Sequence, residues 1–141
     1  MSERGRRLGV DVGAVRVGVA VSDPEGVLAT PLVTVARDVE GGTDLRAIAE
    51  LVVEYEVVGI VVGLPRTLAG REGPAAAAAR TFVDALGAVV DVPIELSDER
   101  LTTVVATAQL RQRGVRGRKR RAVVDQAAAV VILQGWLDGG R

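Results

Sequence analysis

The chain has 141 residues, a length suited to one domain (1–141) around one core, and its hydrophobic fraction of 48% excludes a disordered polypeptide. It contains no His and no Cys, which excludes Ser-His-Asp catalysis, Cys nucleophiles, imidazole or thiolate metal sites and disulfides, and leaves carboxylates, hydroxyls, Arg, the single Lys119 and hard cations bound through oxygen. The formal net charge is zero, yet Arg111, Arg113, Arg116, Arg118, Lys119, Arg120 and Arg121 crowd into eleven positions, while an aromatic content of only Tyr55, Phe82 and Trp136 argues against base-stacking platforms.

Arg4, Arg6 and Arg7 precede a short apolar stretch, but Asp11 and Gly13 interrupt it. No secretory leader or membrane span is therefore expected, and a cytoplasmic location fits. Leu8–Val12 reads as a strand, 13–16 as its turn, and Val17–Ser22 as an antiparallel return. Leu28–Val35 reads as a third strand whose Pro31 favours a sheet edge or a strand end. Thr43 is placed to cap a helix over residues 44–56, with Leu45, Ile48, Ala49 and Val52 on one face; Asp44, Glu50, Glu54 and Glu56 make this helix acid-rich. Val57–Gly63 is apolar throughout, as in a central strand covered on both sides. Pro74 opens an Ala-rich helix to about Leu86, Val92–Leu96 is a fifth strand, and helices follow over Thr102–Gln112 and Ala122–Leu137. The order β-β-β-α-β-α-β-α predicts an α/β fold: a five-stranded mixed sheet with helices on both faces.

Period-two alternation gives the first hairpin one bulky face and one bare face. Leu8, Val10, Val12, Val17, Val19 and Val21 point one way; Gly9, Asp11, Gly13, Gly18, Ala20 and Ser22 point the other. Asp11 thus stands mid-strand on the bare side, where a carboxylate needs a partner, a proton or a cation. A bond to Arg16 or to a turn amide is the structural alternative. In the last helix Asp125 shares a face with Ala128, Ala129 and Ile132. That small-residue face suits the bare side of the hairpin and would bring Asp125 toward Asp11. A helix-dipole role at an N-terminus is the alternative for Asp125. Asp98 and Glu99 follow the fifth strand, and alternation alone does not choose between them; Ser97-Asp98 also suits a turn.

Converging carboxylates hold hard divalent cations, which activate water and neutralise charge in phosphodiester hydrolysis. The basic run from Arg111 to Arg121 would grip a phosphate backbone, and the spacing of Gly114 and Gly117 reads as a flexible loop that orders on binding.

Gly9-Val10-Asp11-Val12-Gly13 with Arg16-Val17-Gly18-Val19-Ala20-Val21-Ser22-Asp23 resembles the opening motif of the YqgF/RuvX family. Val62-Gly63-Leu64-Pro65 with Gly70, Asp98-Glu99-Arg100-Leu101-Thr102-Thr103, and Asp125 with Ala127-Ala128-Ala129 and Ile132-Leu133-Gln134 resemble its later motifs, in order. The resemblance spans roughly residues 6–137. It implies a ribonuclease-H-like fold related to RuvC-type Holliday-junction resolvases. It implies a metal-dependent endonuclease maturing the 5′ end of the 16S ribosomal RNA precursor, with Mg2+ or Mn2+ held by Asp11, Glu99 and Asp125 as catalytic acids, which selects Glu99 over Asp98. Arg16 and Arg100 within the motifs join Arg113, Arg116, Arg118, Lys119, Arg120 and Arg121 as the expected nucleic-acid contacts. Positions 122 and 128 are Ala, whereas the resolvases usually carry a further carboxylate in this helix; a single firmly held metal is therefore expected before substrate arrives.

Other readings are a Holliday-junction resolvase acting on branched DNA, with a homodimer as an assembly to consider, and a non-catalytic RNA-binding ribosome-assembly factor. An ATP-binding domain of the actin and sugar-kinase type is a further one, since Gly9–Gly13 also resembles its first phosphate loop; those enzymes close two such domains around the nucleotide.

Overall fold

The computed structural model describes residues 4–65, 71–98 and 117–140. Among them are five strands, β1 (Arg6–Val12), β2 (Arg16–Ser22), β3 (Ala29–Ala36), β4 (Val57–Leu64) and β5 (Ile94–Asp98). Three helices join them: α1 (Thr43–Glu54), α2 (Pro74–Gly87) and α3 (Gly117–Gly135), the last running into a π-helical turn, Trp136–Gly140. The expected helix over Thr102–Gln112 lies outside the described residues.

The strands form one sheet in the order β3-β2-β1-β4-β5. β1 pairs antiparallel with β2 and parallel with β4, β2 pairs antiparallel with β3, and β4 pairs parallel with β5. The mixed sheet expected from the element order is therefore present, with β1 at its centre. β3 is an edge strand, as Pro31 favours, and the register shifts opposite it between Val19 and Ala20.

The two faces of the hairpin receive different layers. Leu8, Val10, Val17, Val19, Val21, Ile60 and Val62 pack against Ile48 and Val52 of α1 and Phe82 and Leu86 of α2. On the other side Ala20 and Val61 meet Ala129, Ile132, Leu133, Trp136 and Leu137. Bulky β-branched side chains hold α1 and α2 at ordinary packing distance, whereas the bare face lets α3 descend onto the strands. A Cβ at Gly18 would stand 2.0 Å from the Asp125 carbonyl oxygen, and one at Gly9 2.6 Å from Leu133 Cβ. Glycine is required at both positions because helix backbone occupies the space.

Two expectations need correction. Thr43 does not cap α1: it is the first helical residue, after Gly42 at φ 73°, with no side-chain cap on the Gly42 position. Asp38 does the work instead, accepting from the Gly41 and Thr43 amides at 2.9 and 3.1 Å and from the Thr43 hydroxyl at 2.7 Å. Asp44, one of the acids of this helix, is buried; its carboxylate accepts from the Leu45 amide and lies 3.6 Å from Arg37 Nε. The last helix starts at Gly117 rather than Ala122, because Arg and Lys extend a helix readily once Gly117 is at its end. The backbone of Arg118–Arg121 is consequently helical, not the flexible loop expected from the glycine spacing.

Gly18→Ala tests the close approach. Gly→Ala at a permissive position stabilises by about 0.4–1 kcal/mol, but displacing packed backbone costs about 1–3 kcal/mol, so net destabilisation is expected in urea unfolding. Asp38 offers a second check: its hydrogen bonds, the Thr43 hydroxyl foremost, hold its carboxyl below the usual carboxylate range. A depressed folded pKa contributes stability that is present above the ordinary value of 3.8 and is lost as pH falls through the folded value. Asp38→Asn should therefore reduce stability at pH 7, and the difference from the parent protein should shrink as unfolding is measured at progressively lower pH below 3.8.

Candidate functional site

Asp11 lies near the end of β1, directly opposite Gly18 on β2 in the antiparallel register. Residues paired in this way point to the same face. The missing side chain of Gly18 points at Asp125, whose Cβ would be 2.9 Å from a Gly18 Cβ. Asp11 and Asp125 are thus on the same side of the sheet, Asp11 on β1 and Asp125 over Gly18 of the neighbouring strand β2. This is the juxtaposition expected from the small-residue faces of hairpin and helix. The alternative of a helix-dipole acid fails for Asp125, which is the ninth residue of a helix beginning at Gly117, well past its first turn.

Arg16 completes the cluster in a way the alternation did not specify. Its Nε donates to Asp125 Oδ2 at 2.9 Å, with 32% of the Arg16 and 18% of the Asp125 side chain exposed. Arg16, expected as a nucleic-acid contact or as a structural partner for Asp11, is therefore tied to Asp125. It precedes Gly18 by two residues and so shares its face.

The register also separates Asp98 from Asp11. Asp98 pairs with Leu64, and Ile94 with Ile60, on the face covered by α1 and α2. Asp98 therefore stands across the sheet from Asp11. Glu99, Arg100, Arg113 and Arg116 lie outside the described residues, as does Gly70. Arg118, Lys119, Arg120 and Arg121 are placed by their backbone in the N-terminal turns of α3, the helix that carries Asp125. Among the described residues, no group of three or more acidic residues gathers to hold a metal; two of the expected trio are on one face and the third is not described. The donor set fits a hard divalent cation: Asp11 and Asp125 would supply carboxylate oxygens, and the chain has no Cys or His.

Several polar residues of the motifs serve the scaffold. Asp23 accepts from the amides of Glu25, Val27 and Leu28, and these bonds, the one from Leu28 foremost, hold its carboxyl below the usual range. Gln134 accepts from the Ala29 amide and donates to the Val27 carbonyl, both at the β2–β3 turn. Gln126 donates to the Thr34 hydroxyl on β3. Sequence reading assigned no role to these two glutamines. Their spacing of eight residues in an otherwise apolar stretch, two turns along one helix face, was the available signal.

A family model described as "RuvX: Holliday junction resolvase" matches residues 5–139. The chain belongs to the RuvX family. Curated relatives named "Putative pre-16S rRNA nuclease" include one from Nocardia farcinica, 61% identical over 141 residues, covering 96% of this chain and 78% of the relative. Another, from Mycobacterium ulcerans, is 59% identical over 139 residues, covering 98% of this chain and 81% of the relative. Among solved structures, Thermus thermophilus RuvC in complex with a Holliday junction substrate superposes with a TM-score of 0.51 at 17% identity, over 94% of this chain and 93% of that one. The Mn-soaked human cytomegalovirus terminase nuclease domain gives 0.50 at 11% identity, over 96% and 85%. These likenesses bear out the ribonuclease-H-like fold, and membership of the RuvX family makes the chain a nuclease. No helix among the described residues is long and apolar enough to cross a membrane.

Proposed function

We propose that this RuvX chain, acting as a single domain, is a divalent-cation-dependent endonuclease that trims the 5′ end of the 16S ribosomal RNA precursor in the cytoplasm. The observation that carries the proposal is the placement of Asp11 and Asp125 on one face across Gly18. The names of the curated relatives supply the substrate, and the absence of His and Cys restricts the chemistry to oxygen ligands.

Asp11, Asp125 and Glu99 are the residues that would hold Mg2+ or Mn2+. Glu99 is preferred to Asp98 because Asp98 stands on the opposite face. When bound, the cation supplies charge neutralisation and an activated water at the phosphate. The chain's own contribution is rigidity. Asp11 is fixed in the central strand, and Asp125 in a helix seated on glycines, so little carboxylate motion remains to be frozen at the moment of reaction. Arg16 adds a fixed positive charge beside that pair, and Arg100, Arg113, Arg116, Arg118, Lys119, Arg120 and Arg121 would hold the flanking phosphates.

A second reading, resolution of four-way DNA junctions, is favoured by the description of the family model and by the RuvC likeness. It calls for a homodimer presenting two sites, which sedimentation of the protein with and without a junction would reveal. Incubating the protein with a precursor RNA fragment and with a synthetic junction, each with Mg2+, Mn2+ or chelator, separates the two.

Cleavage should require the cation and disappear in chelator. Asp11→Asn should abolish cutting by at least about 100-fold while leaving substrate binding near wild type, since second-shell losses alone cost 10–100-fold at metal sites and a lost ligand costs more. Full activity in chelator or in Asp11→Asn would refute the mechanism.

The basic segment gives a separate expectation. Each duplex phosphate neutralised contributes about −0.9 to the slope of log affinity against log salt. Replacing Arg116 and Arg118 together by Ala should flatten the slope by about 1–2 units, equally for unrelated sequences, because phosphate contacts do not read bases. An unchanged slope would remove the segment from the binding surface.

A further inference from the structure

Arg16 is held from two sides. Its carbonyl accepts from the Gly13 amide at 2.9 Å, closing the β1–β2 turn, and its Nε is committed to Asp125. A guanidinium carries five N–H donors in one rigid plane, and the bond to Asp125 uses one of them. Among the described residues its terminal nitrogens have no other hydrogen-bond partner. The Arg16 side chain is more exposed than the carboxylate it holds, 32% against 18%. A planar, permanently charged fork with Nε on a carboxylate and its two terminal nitrogens without another partner among the described residues matches the geometry for a bidentate phosphate contact.

We propose that Arg16 couples the site to its substrate: Nε fixes the orientation of Asp125 while the terminal nitrogens take the non-bridging oxygens of the phosphate beside the cleaved bond. This inference rests on the reading of Asp125 as a site carboxylate. It goes beyond that reading in making one rigid group set the distance between carboxylate and phosphate. Lys would keep the charge at that place but would lose the planar spacing, because an ammonium is a point donor on a flexible stem. The ligand chemistry is a phosphodiester, supplied either by RNA or by branched DNA.

The test separates binding from cutting. Anisotropy titrations in chelator, with a fluorescent precursor-RNA fragment and with a fluorescent four-way DNA junction, compare the parent protein with Arg16→Lys, Arg16→Gln and Arg16→Ala. Loss of one phosphate contact should flatten the log–log salt slope of Arg16→Ala and Arg16→Gln by about 0.7–0.9, while Arg16→Lys retains it. The nucleic acid whose slope changes identifies the source of the phosphate. In Mg2+, Arg16→Lys should lower kcat by about 10–100-fold with KM near the parent value, as expected when the partner of a site carboxylate is lost. Unchanged slopes in both neutral variants would overturn the phosphate contact, and parental kcat in Arg16→Lys would overturn the orienting role. A lowered melting temperature with unchanged slopes and kcat would make Arg16 a structural clamp only and overturn both. If the parent protein cuts neither nucleic acid while the slopes still differ, the nuclease reading fails and the Arg16–phosphate contact stands.

Discussion

The structure turns on the distance between α3 and the β1–β2 hairpin. With glycine at positions 9 and 18, helix backbone lies where side chains would otherwise be, and the carbonyl of Asp125 occupies the place of a Gly18 Cβ. Close-packed interiors transmit such a constraint, because there is no slack into which a helix can retreat. The same approach that completes the core on this face sets the height of the Asp125 carboxylate above β1, and so its relation to Asp11.

The sheet divides its work between its faces. The Val- and Ile-rich side, under α1 and α2, carries most of the aliphatic burial and has its ionic contact, Arg37 with Asp44, at the end of β3. The opposite side has the small residues, Asp11 and the Arg16–Asp125 pair. A partly buried carboxylate is costly without a compensating charge, and Arg16 supplies it for Asp125. Gln126 and Gln134 fasten the same helix to β3 and to the β2–β3 turn. Asp125 is thereby flanked by polar contacts that resist sliding of α3, a motion that a purely apolar stripe of Ala and Leu would oppose less directionally.

The continuity of α3 has a further consequence. Because the helix begins at Gly117, Arg118–Arg121 and Asp125 belong to one rigid element. Basic residues at a helix N-terminus oppose the macrodipole and carry a modest local cost.

Much of this was written in the amino-acid order. The two-residue period of 8–12 and 17–22 announced a bare face, the Ala128-Ala129-Ile132 stripe announced what would cover it, and Pro31 marked the edge strand, because side-chain period and size are local properties of the chain. The pairing of Asp11 with Asp125 followed from matching those two faces. Other features depended on long-range contacts. Local rules nominated Thr43 as the cap of α1, but Asp38 does the capping. Arg16 stood in the sequence as a partner for Asp11 or a contact to nucleic acid, and Asp98 and Glu99 were indistinguishable by alternation. Only the strand register and the docking of α3 gave Arg16 to Asp125 and turned Asp98 to the far face. Periodicity shows which side of an element is small or polar; which charges meet across 109 residues of chain is decided by how those sides are stacked.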